Sequence, residues 1–190
     1  MNFSFPLILA SNSPRRQELL RLAGIPFSVR VKPTDEHFPP DMPADEVARY
    51  LAEQKAEAFR DELQDELVIT ADTTVVLGDE VLNKPADEQE AYAMLRRLSG
   101  TRHKVITGVS LLSRSYTKSF DDCTSVYFRP LEDEEIWQYI RQYKPFDKAG
   151  SYGIQEWIGM VGIERIEGSY YNVMGLPVEK LYQHLKKLAL

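Results

Sequence analysis

The spacing of apolar residues along this chain switches repeatedly between strand-like and helix-like, and the switches mark its elements. "PLILA", residues 6–10, is a continuous apolar run of the kind buried on both faces of a sheet. A small polar turn follows, and then Leu19, Leu22 and Ala23 recur at helical spacing. Ser13 is placed to cap that helix, Pro14 to open it and Gly24 to end it. "FSVRV" (27–31) alternates like a strand and leads into a Pro-rich loop, "KPTDEHFPPDMP". Residues 44–63 predict a long helix with Val47, Leu51 and Ala58 facing inward.

"LVITA" (67–71) predicts another buried strand, with Asp72 directly after it, and "TVVLGDEVL" a hairpin turning at Gly78-Asp79. Residues 87–98 predict a helix ending at Gly100. "HKVITGVSLLS" and "CTSVYFRP" then alternate like paired, longer strands. Residues 132–143 read as an acid-started helix, "DKAGSYGIQ" as a glycine-containing loop and "PVEKLYQHLKKL" as a closing helix. Helices and strands alternate, but the middle holds hairpin-like pairs. That pattern predicts an α/β protein with a mixed sheet flanked by helices. Residues 1–190 are expected to form one domain, with two lobes around a shared sheet; composition does not reveal where the lobes divide.

Composition narrows the function. At 43% hydrophobic and 27% charged residues, the chain reads as an ordinary soluble globule. A net charge of −6 speaks against binding nucleic acid or an anionic membrane. It leaves room for a small polyanion, because screening over roughly 8 Å makes a pocket feel mainly its own walls. The single cysteine, Cys123, excludes an intrachain disulfide and suits a reducing compartment. "MNFSFPLILA" has no basic start, and its apolar run is too short for a signal peptide or a membrane span, so a cytoplasmic location is expected.

Four places carry candidate chemistry. In "SNSPRR", Ser11, Ser13 and the first N–H groups of a helix form a nest for an anion. Arg15 and Arg16 add positive charge where a helix already carries it, which a bound phosphate would reconcile. The alternative is a helix whose arginines point to water. In "ITADTTVV", Asp72 at a strand end could meet a metal or a water, or be a turn aspartate. Glu36, Lys55 and Lys84 are scattered, and such residues are usually surface groups. Lys55 has the best individual case, on the border of its helix's apolar face. In "AGSYGIQ", Tyr152 could stack on a flat ligand and Gln155 hydrogen-bond a base edge, or Tyr152 could be a core residue in a turn. His37, His103 and His184 are isolated, one cysteine cannot build a zinc site, and no P-loop, G-x-S-x-G or G-x-G-x-x-G motif is present.

Together, "LASNSPRR", "DE" at 35–36, "LAEQKA", "ADTTVV", "NKP", "LSGTRHKVITGV", "DKAGSYGIQ" and "GSYYNVMGLP" resemble, in order and spacing, the Maf family of nucleoside triphosphate pyrophosphatases. The resemblance runs from about residue 7 to 180. It implies a mixed α/β fold like that of the inosine triphosphate pyrophosphatases, with a nucleotide cleft between two lobes. It also implies hydrolysis of a nucleoside triphosphate to monophosphate and pyrophosphate, assisted by Mg²⁺ or Mn²⁺. Arg15, Thr73 and Gln155 match the branch acting on dTTP and UTP rather than the one acting on 7-methyl-GTP. "NKP" stands where many members have "GKP". By this resemblance Asp72 is the general base or a metal ligand beside Glu36. Ser11, Ser13, Arg15, Arg16, Lys55 and Lys84 cradle the phosphates, and Thr73 and Gln155 select the pyrimidine. The protein is then expected to be a homodimer. A non-catalytic nucleotide-binding regulator of septum formation and a pyrophosphatase for a purine or methylated nucleotide are the competing readings.

Overall fold

The computed structural model describes residues 3–189. The targeting expectation drawn from the amino-terminal stretch includes Met1 and Asn2, which lie outside the described residues. Seven strands form one mixed sheet: β1 (Leu7–Leu9), β2 (Ser28–Val29), β3 (Leu67–Leu77), β4 (Glu80–Leu82), β5 (Arg102–Leu112), β6 (Thr117–Phe128) and β7 (Ile163–Glu167). The helices are α1 (Pro14–Leu22), α2 (Ala44–Glu57), α3 (Glu88–Leu98), α4 (Asp133–Tyr143), α5 (Trp157–Gly162), α6 (Tyr170–Met174) and α7 (Val178–Lys186). The strand order is β2-β1-β3-β5-β6-β7, with β4 paired to β3. β1 runs parallel to both β2 and β3, opposing Leu9 to Val29 and to Ile69. β4 and β7 pair antiparallel with β3 and β6. The mixed α/β expectation holds.

Several boundaries differ from the sequence pattern. β3 does not stop at Ala71 but continues through Asp72, Thr73 and Thr74 to Leu77, so Asp72 lies inside a strand. Three polar residues interrupt the apolar run there, yet the backbone stays extended and the hairpin at Gly78 follows directly. β6 starts at Thr117, before its apolar half, because "TKSFDD" is only partly buried and carries no strong alternation. "FSVRV" shrinks to the two exposed residues of β2. α2 ends at Glu57, and a short 3₁₀ turn at Arg60–Glu62 carries the chain onward. In α1 the buried residues are Leu19 and Leu20, whereas Leu22 is 77% exposed. At 100° per residue, Leu22 lies about 60° outside the arc from Leu19 to Leu20.

The chain forms two compact units. The first takes the residues up to Thr73, Thr107–Asp122 and those from Gly175 onward; the second takes Thr74–Ile106 and Cys123–Met174. Each division falls within a strand or beside a helix rather than in a linker, which is why composition could not mark it. In the first unit, Ile8, Ala56, Phe59, Leu63, Val68 and Leu112 form a buried cluster. In the second, Leu95, Leu98, Val126, Ile136, Tyr139 and Ile140 do so.

One contact in the first unit decides where its polar residues meet. Gly108 of β5 lies so close to α2 that a Cβ there would stand 2.3 Å from the Arg49 nitrogen and 2.4 Å from the Ala48 carbonyl. Only glycine fits, and α2 settles onto the sheet. The buried Thr70 hydroxyl of β3 donates to the Ala52 carbonyl of α2 at 2.6 Å, pinning helix to strand.

Candidate active site

That pin sets a register with a chemical consequence. Lys55 is one helical turn beyond Ala52, and Asp72 is two strand residues beyond Thr70, so each lies on the same face as its pinned neighbour. The Lys55 Nζ accordingly donates to Asp72 Oδ1 at 2.6 Å. It also lies 2.8 Å from Glu36 Oε1, supplied by the Pro-rich loop. Lys55 and Asp72 are largely buried, with side-chain exposures of 17% and 14%, while Glu36 is 49% exposed. Three residues scattered in sequence thus form one charge cluster, open on the Glu36 side.

Beside it, α1 begins as its sequence predicts. Ser13 caps the helix, its hydroxyl accepting from the Arg16 N–H at 3.4 Å, and Pro14 occupies the first turn. No acidic residue stands in that turn. The Ser11 hydroxyl accepts from the Ser13 N–H at 3.2 Å. Arg16 is more deeply engaged than a solvent-facing arginine. Its Nε donates to the Gly175 carbonyl at 2.8 Å, Nη1 to the Ala71 carbonyl at 2.9 Å and to Ser11 Oγ at 3.4 Å, and Nη2 to Thr73 Oγ1 at 3.0 Å. Four of five guanidinium hydrogens are thereby spent on the protein. Burial holds its pKa below the ordinary value, with Asp72 and Glu36 opposing the shift and Arg15 adding to it; a guanidinium remains charged throughout.

Thr73 has a related role. Its hydroxyl accepts from Arg16 and shares a 2.9 Å hydrogen bond with the Thr107 hydroxyl. Thr107 and the Gly175 carbonyl were not legible as site groups. Gly175 has φ of +118°, so the backbone bend that turns its carbonyl to Arg16 requires glycine. Arg15 lies on the same first turn, partly buried. The structure therefore brings Ser11, Ser13, Arg15, Arg16, Glu36, Lys55, Asp72 and Thr73 together in the first unit.

Lys84 and Gln155 belong to the second unit. Lys84 is exposed in the segment after β4, beside Asn83, whose carbonyl accepts from the Gly150 N–H at 3.2 Å. Gln155 is partly buried, and its Oε1 is a buried acceptor with no hydrogen-bond partner among the described residues. Tyr152 is a core residue and not a stacking platform. It is 6% exposed, its hydroxyl lies 2.7 Å from His103 Nε2, and its ring packs edge-on against Phe128.

Among the described residues, no group of three or more His, Cys, Asp or Glu side chains is arranged to hold a metal unaided. The donor set still fits a hard cation. Glu36 and Asp72 already converge on one positive centre, the Lys55 ammonium, and Mg²⁺ typically takes one or two carboxylates plus phosphate and water oxygens.

Residues 6–188 match the family model described as Maf-like protein. The chain is 54% identical over 186 residues to a Phocaeicola vulgatus protein named dTTP/UTP pyrophosphatase, covering 97% of this chain and 96% of that one. A Parabacteroides distasonis protein of the same name is 52% identical, with 96% and 95% covered. A solved structure of the Staphylococcus aureus Ham1 protein aligns over 65% of this chain and 71% of its own, with a TM-score of 0.49 and 16% identity.

Proposed function

Because this chain belongs to the family of Maf-like proteins, we propose that it is a nucleoside triphosphate pyrophosphatase hydrolysing dTTP and UTP to the monophosphate and pyrophosphate. The observation that carries the reading is the meeting of Lys55, Glu36 and Asp72 beside the serine- and arginine-lined start of α1. It occurs in a chain about half identical, over nearly its whole length, to proteins named for that activity.

In the reaction, a water oxygen bonds to the α-phosphorus. The bond from that phosphorus to the α–β bridging oxygen breaks, and pyrophosphate leaves with the electron pair. Asp72 accepts the proton of the attacking water. Ser11, Ser13 and Arg15 receive phosphate oxygens, and Arg16 adds its remaining N–H and its charge from a fixed position. Lys55 holds the Asp72 carboxylate in place and offers positive charge to the phosphate chain; Lys84 offers more. Thr73 acts on substrate through Arg16, which it orients. Gln155 presents its unpartnered Oε1 to the N–H of a pyrimidine base, so a base without that donor leaves a buried acceptor unsatisfied. A divalent cation held by Glu36 and Asp72 would neutralise phosphate charge.

The net charge of −6 and single cysteine support a cytoplasmic enzyme acting on free nucleotides. No helix among the described residues is long and apolar enough to cross a membrane. A homodimer is the assembly we assign by family.

Pyrophosphate release from dTTP, UTP, CTP, GTP and 7-methyl-GTP, with Mg²⁺ or Mn²⁺, tests the proposal. Preferential release from dTTP and UTP is expected. Release chiefly from 7-methyl-GTP would assign another branch, and tight binding without release would favour a nucleotide-binding regulator.

A further inference from the structure

The segment carrying Gln155 is fastened by groups that have no part in the reaction as described. Lys148 is buried, and its Nζ lies 2.7 Å from Asp147 Oδ1 and 3.2 Å from Glu156 Oε1. The other oxygen of Glu156 accepts from the hydroxyl of Tyr139, a fully buried residue of α4. The same hydroxyl accepts from the Gly153 N–H at 3.0 Å, and the Glu156 N–H closes a turn onto the Gly153 carbonyl at 3.0 Å. Gly153 and Glu156 are therefore both tied to one phenol, and Gln155 lies between them. Little slack remains. A Cβ at Gly153 would meet the Glu156 carboxyl carbon at 3.0 Å and Lys148 Cε at 3.2 Å. Upstream, Gly150 and Ser151 are consecutive left-handed residues, φ +67° and +65°, a conformation that a buried serine holds only where its surroundings impose it.

A buried ion pair is a poor route to stability, since desolvation offsets most of its attraction. It is an effective way to fix geometry, and the group fixed here is Gln155, whose buried Oε1 has no hydrogen-bond partner among the described residues. We propose that Lys148, Glu156 and Tyr139 form a positioning unit that holds Gln155 in register for reading the pyrimidine, an inference that rests on the proposed dTTP/UTP activity. None of the three touches substrate; they act through Gln155.

A double-mutant cycle in the full-length protein tests this, using the ratio of kcat/KM for dTTP to that for CTP. Tyr139→Phe keeps the ring and removes the hydroxyl that joins Gly153 to Glu156. It is expected to lower the ratio about tenfold, mainly through a higher KM for dTTP. Added to Gln155→Ala, the same change is expected to alter the ratio less than twofold, because its effect passes through Gln155. Lys148→Arg, which retains a cation for Glu156, is expected to keep most of the selectivity that Lys148→Met loses, and it provides the comparison if Tyr139→Phe does not fold. A ratio unchanged in folded Tyr139→Phe, or additive losses in the double variant, would overturn the positioning role. Equal selectivity in Lys148→Arg and Lys148→Met would do the same. Wild-type protein that hydrolyses neither dTTP nor UTP would overturn instead the functional reading beneath it.

Discussion

Lys55 in the first unit and Lys148 in the second each stand between two carboxylates, but on different terms. Lys55 joins a loop, a helix and a strand, through Glu36 at 2.8 Å and Asp72 at 2.6 Å, and Glu36 leaves the cluster half open. Lys148 is paired within ten residues, to Asp147 and Glu156, and its own side chain is only 9% exposed. The Glu156 oxygen not facing Lys148 is taken by Tyr139. One arrangement gathers charge from distant segments and stays open on the Glu36 side. The other closes on itself. A lysine flanked by acids is therefore no sign of chemistry in itself; what matters is whether its partners retain an approach from outside.

The largest expected effect that separates the two is on turnover. Asp72→Asn should lower kcat for dTTP by at least ~10²-fold, the low end for a general base. Near-normal turnover would make the first cluster structural as well. Lys55→Met removes charge-assisted hydrogen bonds worth about 1.5–3 kcal/mol. A fall in kcat/KM of roughly 10–100-fold is expected, and a change below twofold would contradict its place in the site. Arg16→Lys probes the fastening inside the first unit. A lysine cannot span the Gly175 and Ala71 carbonyls and Thr73 together, so about 2 kcal/mol should be lost through unsatisfied acceptors. That corresponds to a thermal midpoint lower by about 4–8 °C in a protein of this size. An unshifted midpoint would mean that the network is dispensable.

The smallest effect concerns His103, a buried ionisable group of the second unit with no ion pair among the described residues. Burial pushes the His103 pKa down to about 3, against roughly 6.5 in the unfolded chain. Below pH ~6.5 the unfolded chain takes a proton that the fold refuses. This group therefore contributes full stability above that pH, and the contribution declines as pH falls toward 3. At pH 5.5 the loss is on the order of 1 kcal/mol. The drop in thermal midpoint from pH 7 to 5.5 should be about 2–4 °C smaller in His103→Phe than in wild type. An equal drop would show that His103 takes no part in it.

Much of this was legible in the residues. The Ser13-Pro14 helix start, the Gly78 hairpin and the acid-started α4 follow from local chemistry, and each stands where the pattern puts it. Asp72 and Thr73 fall between two predicted strands because polarity inside a strand looks like its end, although strand backbone accepts such residues. The residue types of the first unit's cluster are readable from their motifs, together with Lys84 and Gln155 of the second unit, but its internal wiring is not. The Lys55–Asp72 contact depends on Thr70 meeting Ala52, a tertiary register that no local pattern announces. The Gly175 and Ala71 carbonyls that hold Arg16 are backbone atoms and leave no trace in side-chain type, except that Gly175 is a glycine at positive φ. Tyr139 lies in a stretch that reads only as an acid-started helix, and its hydroxyl's partners, 14 and 17 positions away, leave no local sign.

On the proposed function, the open cluster reacts while the closed one positions. The most direct test is kcat at saturating dTTP for Asp72→Asn and Glu156→Gln, measured side by side with the wild-type protein. A loss of at least ~10²-fold is expected for Asp72→Asn, with the Glu156→Gln defect falling mainly on KM and on selectivity between dTTP and CTP. Comparable losses of kcat in both variants, or a larger one in Glu156→Gln, would contradict it.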